Sequence, residues 1–210
     1  MPAGEVELAH RRHVCSVLIP LSRESLTDRL DLEKIFGRKG PLHVDLGCGD
    51  GAFLCALAER VPEKNFLGIE RLLGRIRTAT RKAANIANVR LLRVEGSYAV
   101  QYLLPSGSVE TFYLLFPDPW PKRRHHRHRI VTPDFLNSVH AVLDENGLLL
   151  IATDHVDYFD KIKKTARLRR DFRVFERVEV DLPVTKFQEK FQAQGSRVYW
   201  LELRKVLPVR

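Results

Sequence analysis

Cysteine is scarce in this sequence: 210 residues hold three, Cys15, Cys48 and Cys55. An odd number without metal-ligand spacing argues against a disulfide framework or a structural zinc site. It points to reduced thiols in a cytoplasmic protein. Long apolar runs are also missing. None reaches the ~20 residues that span a bilayer, so no membrane partner is expected. The first residues carry Glu5 and Glu7 and no apolar stretch of the kind a signal peptide needs. There is no internal repeat and no low-complexity segment, which excludes solenoids and disordered arrays. Acid is short relative to base, with 26 Asp and Glu against 35 Lys and Arg, a formal charge of +9.

A basic excess of this size favours polyanions. It is also concentrated: Lys122-Arg123-Arg124-His125-His126-Arg127-His128-Arg129 is an unbroken run of basic and imidazole side chains. The hydrophobic fraction, 44%, is that of an ordinary globular chain, and a chain of this length hides roughly 70% of its unfolded surface. Residues 1–40 read as an N-terminal extension and residues 41–210 as one domain. Monomer and homodimer are equally compatible with the sequence.

Within the domain, apolar runs at Leu42–Leu46, Phe66–Glu70, Val89–Val94, Thr111–Phe116 and Leu148–Thr153 alternate with helical spacing. The helical stretches include Ala52–Arg60, Leu73–Ala87 and Pro133–Leu143. The last of these has Thr132 as N-cap and Pro133 in the first turn. A further short helix is expected over Leu26–Phe36, stopped by Gly37 and Gly40-Pro41. This rhythm predicts an α/β fold with a parallel sheet covered on both faces. Phe172–Val180 and Arg197–Val206 read as two more strands, antiparallel to each other and joined by the polar segment Pro183–Ser196.

Open parallel sheets bind ligands beyond the carboxyl ends of their strands. The residues at those ends are Asp45, Glu70, Gly96-Ser97-Tyr98, Asp118 and Asp154, so four positions supply carboxylates. Gly47-Cys48-Gly49-Asp50-Gly51-Ala52 leaves a strand and enters a helix, and it also satisfies the loose dinucleotide pattern. A dinucleotide would bring a pyrophosphate against Asp45 and Asp50. S-adenosylmethionine has no phosphate and carries a sulfonium and an ammonium, which acids favour. Glu70 stands where a ribose-binding acid is expected. Gly47 and Gly49 allow close backbone approach. Ser97 is placed to bond an adenine; Tyr98 is placed either to stack on it or to serve as a core aromatic. A dinucleotide oxidoreductase remains the competing reading.

Leu114-Leu115-Phe116-Pro117-Asp118-Pro119-Trp120-Pro121 is the most specific segment. Its prolines restrict themselves and their predecessors, so Asp118 should sit in a rigid loop. The basic run beyond it suits phosphates beside a target base. His125, His126 and His128 are not read as a metal site, because arginines crowd them and no Cys or carboxylate completes the set.

Here the chain resembles the bacterial tRNA (guanine-N7)-methyltransferases. The resemblance spans roughly Leu42 to Leu203. It rests on Asp45-Leu46-Gly47-Cys48-Gly49, Gly68-Ile69-Glu70, Phe116-Pro117-Asp118-Pro119-Trp120-Pro121-Lys122, Thr153-Asp154 and Thr185-Lys186-Phe187. It implies a Rossmann-like class I methyltransferase fold with a mostly parallel, seven-stranded sheet. It also implies methylation of guanine N7 in the tRNA variable loop, with S-adenosylmethionine as cofactor and tRNA as partner. On this resemblance Asp45 and Glu70 match cofactor-binding acids, and Asp118 matches the acid at the reaction centre, beside the cofactor. Lys122, Asp154 and Thr185-Lys186-Phe187-Gln188 match substrate-binding positions, and Arg123 and Arg124 extend that set along the basic run. Three departures stand out: Asp45 where Glu is frequent, Tyr98 where Asp or Asn is usual, and Gln188 in place of Glu. Methylation of another RNA or of a small molecule, and a non-catalytic RNA-binding module of the same fold, are the alternatives.

Overall fold

The computed structural model describes residues 17–19, 28–177 and 180–207. His10–His13 and Cys15 lie outside them. In chain order the elements are β1 (Leu18–Ile19), α1 (Leu32–Phe36), β2 (Leu42–Leu46), α2 (Ala52–Arg60), β3 (Asn65–Ile69), α3 (Leu73–Ala83) and β4 (Val89–Leu92). Then come α4 (Gly96–Tyr98), which runs into a π-helical turn over Ala99–Leu103, and β5 (Val109–Leu115). A 3₁₀ segment (Arg123–His128), α5 (Pro133–Val142), β6 (Leu143–Thr153), α6 (Val156–Arg167), β7 (Phe172–Arg177), α7 (Lys186–Ala193) and β8 (Tyr199–Lys205) complete the order.

The strands form one sheet in the order β1-β4-β3-β2-β5-β6-β8-β7. All neighbours are parallel except those of β8, which runs antiparallel to both β6 and β7. The resemblance implies seven strands; the eighth is the two-residue β1, which adds to the edge at β4. Chain order reverses at β2, which has β3 on one side and β5 on the other. The crevice beyond the carboxyl ends of β2 and β5 is therefore the topological switch point, where such sheets hold ligands.

Period-2 alternation divides the strand residues between two cores. Val44, Leu67, Phe112, Leu149 and Leu201 pack on one face with Phe36, Leu103, Phe135 and Tyr158. Phe66, Leu91, Tyr113, Leu150 and Trp200 pack on the other with Phe53, Leu54, Ile76 and Ala79. Helices thus cover both faces, α1, α5 and α6 on one and α2 and α3 on the other. Both faces being buried is why β2 and β3 have no solvent-facing position along their length. Among the described residues no helix is long and apolar enough to cross a membrane.

Element ends follow local chemistry. Thr132 caps α5, its Oγ1 accepting from the Phe135 amide (3.1 Å), with Pro133 in the first turn. α1 begins at Leu32 rather than Leu26, because Asp31 is the N-cap and accepts from the Lys34 amide; Gly37 ends it in the left-handed region. Leu26 itself lies outside the described residues. α3 stops at Ala83 instead of Ala87, and β4 ends at Leu92 instead of Val94. The segment Pro183–Ser196 holds a helix, α7.

Candidate active site

At the exit of β2 the chain must turn sharply under α2. Gly47, Gly49 and Gly51 all take positive φ (84°, 58° and 76°), which a side chain would resist. Gly51 has a second constraint: a Cβ there would lie 2.8 Å from Ala79 Cβ of α3. The loop is tied to the end of β3, since the Gly47 and Cys48 amides both donate to the Ile69 carbonyl (2.8 and 3.0 Å). That brings Asp45 beside Glu70. Both carboxylates are buried, at 3% and 4% exposure. Burial, reinforced by the charge of Glu70, raises Asp45 to about 7. Glu70 Oε1 accepts from the Leu72 amide (2.8 Å), and its Oε2 lies 3.9 Å from Arg75. Asp50 is half-buried and borders the cleft. Partial burial pushes it up, but hydrogen bonds from Lys186 (2.6 Å) and Lys82 (2.7 Å) prevail and hold it well below the ordinary carboxylate range.

The loop after β5 is strained. Phe116 and Trp120 have φ of 55° and 43°; both are bulky and both precede a proline. Such residues cost on the order of 1–3 kcal/mol each and persist only where their surroundings hold them. The Phe116 amide donates to the Ala152 carbonyl (2.8 Å). Trp120 packs against His125 and His128. The Pro119 carbonyl accepts from Arg129 Nε (2.7 Å). Between the two strained residues Asp118 is exposed.

Two cavity lobes adjoin above the strand ends. One, about 500 Å³, is lined by Asp45, Asp118 and Asp154, by Gly47 and Gly49, and by Thr185, Lys186 and Phe187 of the α7 region. The other, about 440 Å³, is lined by Glu70, Glu95, Trp120 and His128. Gly47 and Asp118 line both. The four acids expected at strand ends thus open onto one cleft.

Other expected positions lie elsewhere. Ser97 and Tyr98 line neither lobe. Ser97 Oγ is bonded to Glu95 Oε1 (3.0 Å), and Tyr98 packs on the core with its ring 4.8 Å from that of Tyr102. The acid in their place is Glu95, which caps α4 by accepting from the Ser97 and Tyr98 amides. Lys122, Arg123 and Arg124 are exposed outside both lobes, where a large ligand could reach them. Gln188 is set back in α7, its amide donating to Thr185 Oγ1 (3.0 Å). Arg129, the last member of the basic run, is buried at 7% exposure and is not part of the charged surface. Arg75 at the rim went unread, although its spacing of five from Glu70 was visible.

Comparison with known proteins gives the family and the fold. A family model described as "Putative methyltransferase" matches residues 39–201. The chain is similar to a tRNA (guanine-N(7)-)-methyltransferase of Syntrophotalea carbinolica, 33% identical over 92% of this chain and 88% of that one. It is also similar to one of Thermotoga maritima, 38% identical over 84% of this chain; there the match spans 58% of the relative's length. Among solved structures, the 16S rRNA methyltransferase KamB superposes with a TM-score of 0.62 at 16% identity, covering 86% of this chain and 95% of that one. That likeness concerns the fold alone.

Proposed function

The chain belongs to the tRNA (guanine-N7)-methyltransferase family, and from that premise we infer that it moves a methyl group from S-adenosylmethionine to N7 of a guanine in the tRNA variable loop. The observation that carries this reading is the gathering of Asp45, Glu70, Asp118 and Asp154 on one cleft at the switch point. A dinucleotide would set its pyrophosphate against the buried Asp45 at the loop, so the oxidoreductase reading is disfavoured.

The donor set fits the cofactor. When bound, S-adenosylmethionine supplies an electrophilic methyl on a cationic sulfur. Glu70, held by the Leu72 amide, accepts from the ribose hydroxyls. Asp45 ionises against the donor's positive charge. Gly47 and Gly49 let the backbone approach without a Cβ in the way. Glu95, rather than Ser97 or Tyr98, faces the adenine. We expect Glu95→Ala to weaken cofactor affinity about tenfold, the worth of a charged hydrogen bond, and Tyr98→Phe to leave it unchanged in a calorimetric titration.

Guanine N7 presents a neutral lone pair, so the acceptor needs no deprotonation. Asp118, on a rigid loop, stabilises the positive charge that arrives on the purine and helps align it. Asp154 and Thr185-Lys186-Phe187 border the same lobe and contact the substrate. Lys122, Arg123 and Arg124 hold neighbouring phosphates. The double variant Arg123→Ala, Arg124→Ala should bind tRNA more weakly, with a salt slope shallower by about 1.4 to 1.8 for two lost phosphate contacts. An unchanged slope in filter binding across salt would remove these residues from the interface. The function itself is tested by incubating the protein with labelled donor and bulk unmodified tRNA or ribosomal RNA. Label should appear as 7-methylguanosine from tRNA alone; label in another nucleoside, or only in ribosomal RNA, refutes the reading.

A further inference from the structure

Arg129 closes a run of basic residues whose other arginines face solvent, yet the fold turns it inward. It is buried at 7% exposure. Its Nε donates to the Pro119 carbonyl (2.7 Å), and its guanidinium lies over the Tyr158 ring at 4.7 Å. Tyr158 is a fully buried residue of α6 whose hydroxyl accepts from the Val131 amide (3.4 Å). Arg129 Nη2 is buried without a hydrogen-bond partner among the described residues. A buried, incompletely bonded cation is a costly structural element. What it grips is the carbonyl next to Asp118, inside the segment bounded by the strained Phe116 and Trp120.

We propose that Arg129 is a positioning residue for methyl transfer: it fixes the proline-framed loop from below and so sets where the Asp118 carboxylate stands, and it makes no phosphate contact with the RNA. The strain at Phe116 and Trp120 means the loop would relax without such an anchor. A relaxation of about 1 Å at a reacting centre lowers rate by up to about 100-fold without altering remote binding. Lys cannot replace the fork and the flat stacking surface of Arg, although it keeps the charge.

This inference rests on Asp118 being the acid at the reaction centre, and the test separates the two. Arg129→Lys and Arg129→Met are compared with wild type, the Met form filling the same space with no buried charge to strand. Both should lower kcat at saturating tRNA by tenfold or more. Cofactor affinity, tRNA affinity and the salt slope should stay within twofold of wild type. In an Asp118→Ala background neither change should slow the enzyme further, because the carboxylate through which Arg129 acts is already gone. A shallower salt slope with normal kcat would make Arg129 a phosphate ligand and overturn the proposal. So would an unchanged kcat, or a loss that multiplies with that of Asp118→Ala. Should Asp118→Ala alone turn over normally, both the site reading and the inference fall; a slow Asp118→Ala with a multiplied loss overturns the inference only.

Discussion

Asp118→Ala is expected to bind S-adenosylmethionine and tRNA with near-normal affinity and to transfer methyl at least about 100-fold more slowly, the usual loss when one preorganised electrostatic group is removed from a reacting centre. The reason lies in the loop. Phe116 and Trp120 hold positive φ and flank a carboxylate fixed by prolines on both sides. A group already in place needs no reorganisation when positive charge moves from sulfur to the purine. Single-turnover kinetics at saturating substrates read this step without interference from binding. Asp118→Asn should recover only part of the loss, since it keeps the shape and drops the charge.

Asp45→Asn should have the second large effect, of opposite sign on two properties. In the free protein Asp45 is raised from its ordinary 3.8 to about 7, first by burial and then by the charge of Glu70. Between roughly pH 4 and pH 7 the folded chain holds a proton that the unfolded chain has released. Stability therefore falls as pH rises through that window and stays lower above it. Asn removes the titration. At pH 8 the variant should melt several degrees higher than wild type, and below pH 4 the two should coincide. Its cofactor affinity should fall about 100-fold, the scale for removing one partner of a buried charge pair. Wild-type affinity should climb with pH up to about 7 and then level off, because the ionised form faces the cationic donor. The variant's affinity should not depend on pH in that range. Calorimetric titrations at pH 5, 7 and 8 and thermal melts at pH 3.5, 5 and 8 check both halves.

The acids were legible because a parallel sheet puts every carboxyl end on one edge. Once the strands at Leu42–Leu46, Asn65–Ile69, Val109–Leu115 and Leu143–Thr153 are recognised, the residues at or just past their carboxyl ends share a cleft whatever the helices do. At the exit of β4 the strand ends two residues earlier than its apolar run suggests, and of the two roles open to Tyr98 the core-packed one is observed. With β4 extended to Val94, Gly96-Ser97-Tyr98 becomes the exit. With the strand ending at Leu92, Glu95 occupies that place, and its capping role turns Ser97 and Tyr98 toward the helix. α7 was hidden because its stability is tertiary. The segment is polar, and it is secured by Lys186 reaching Asp50 across 136 residues and by Phe187 and Phe191 packing on Phe116. Arg129 could not be told from its neighbours in a basic run. Its direction depends on Tyr158, in a helix that starts at Val156 with a His155 cap.

On the proposed reaction, the N7 of the target guanine is the atom that the Asp118 loop aligns with the methyl donor. The most direct measurement replaces that atom. tRNA carrying 7-deazaguanine at the variable-loop position should bind with ordinary affinity and accept no methyl, while matched guanine-containing tRNA yields 7-methylguanosine. Transfer of label to the 7-deaza tRNA at the rate of the control would contradict the account.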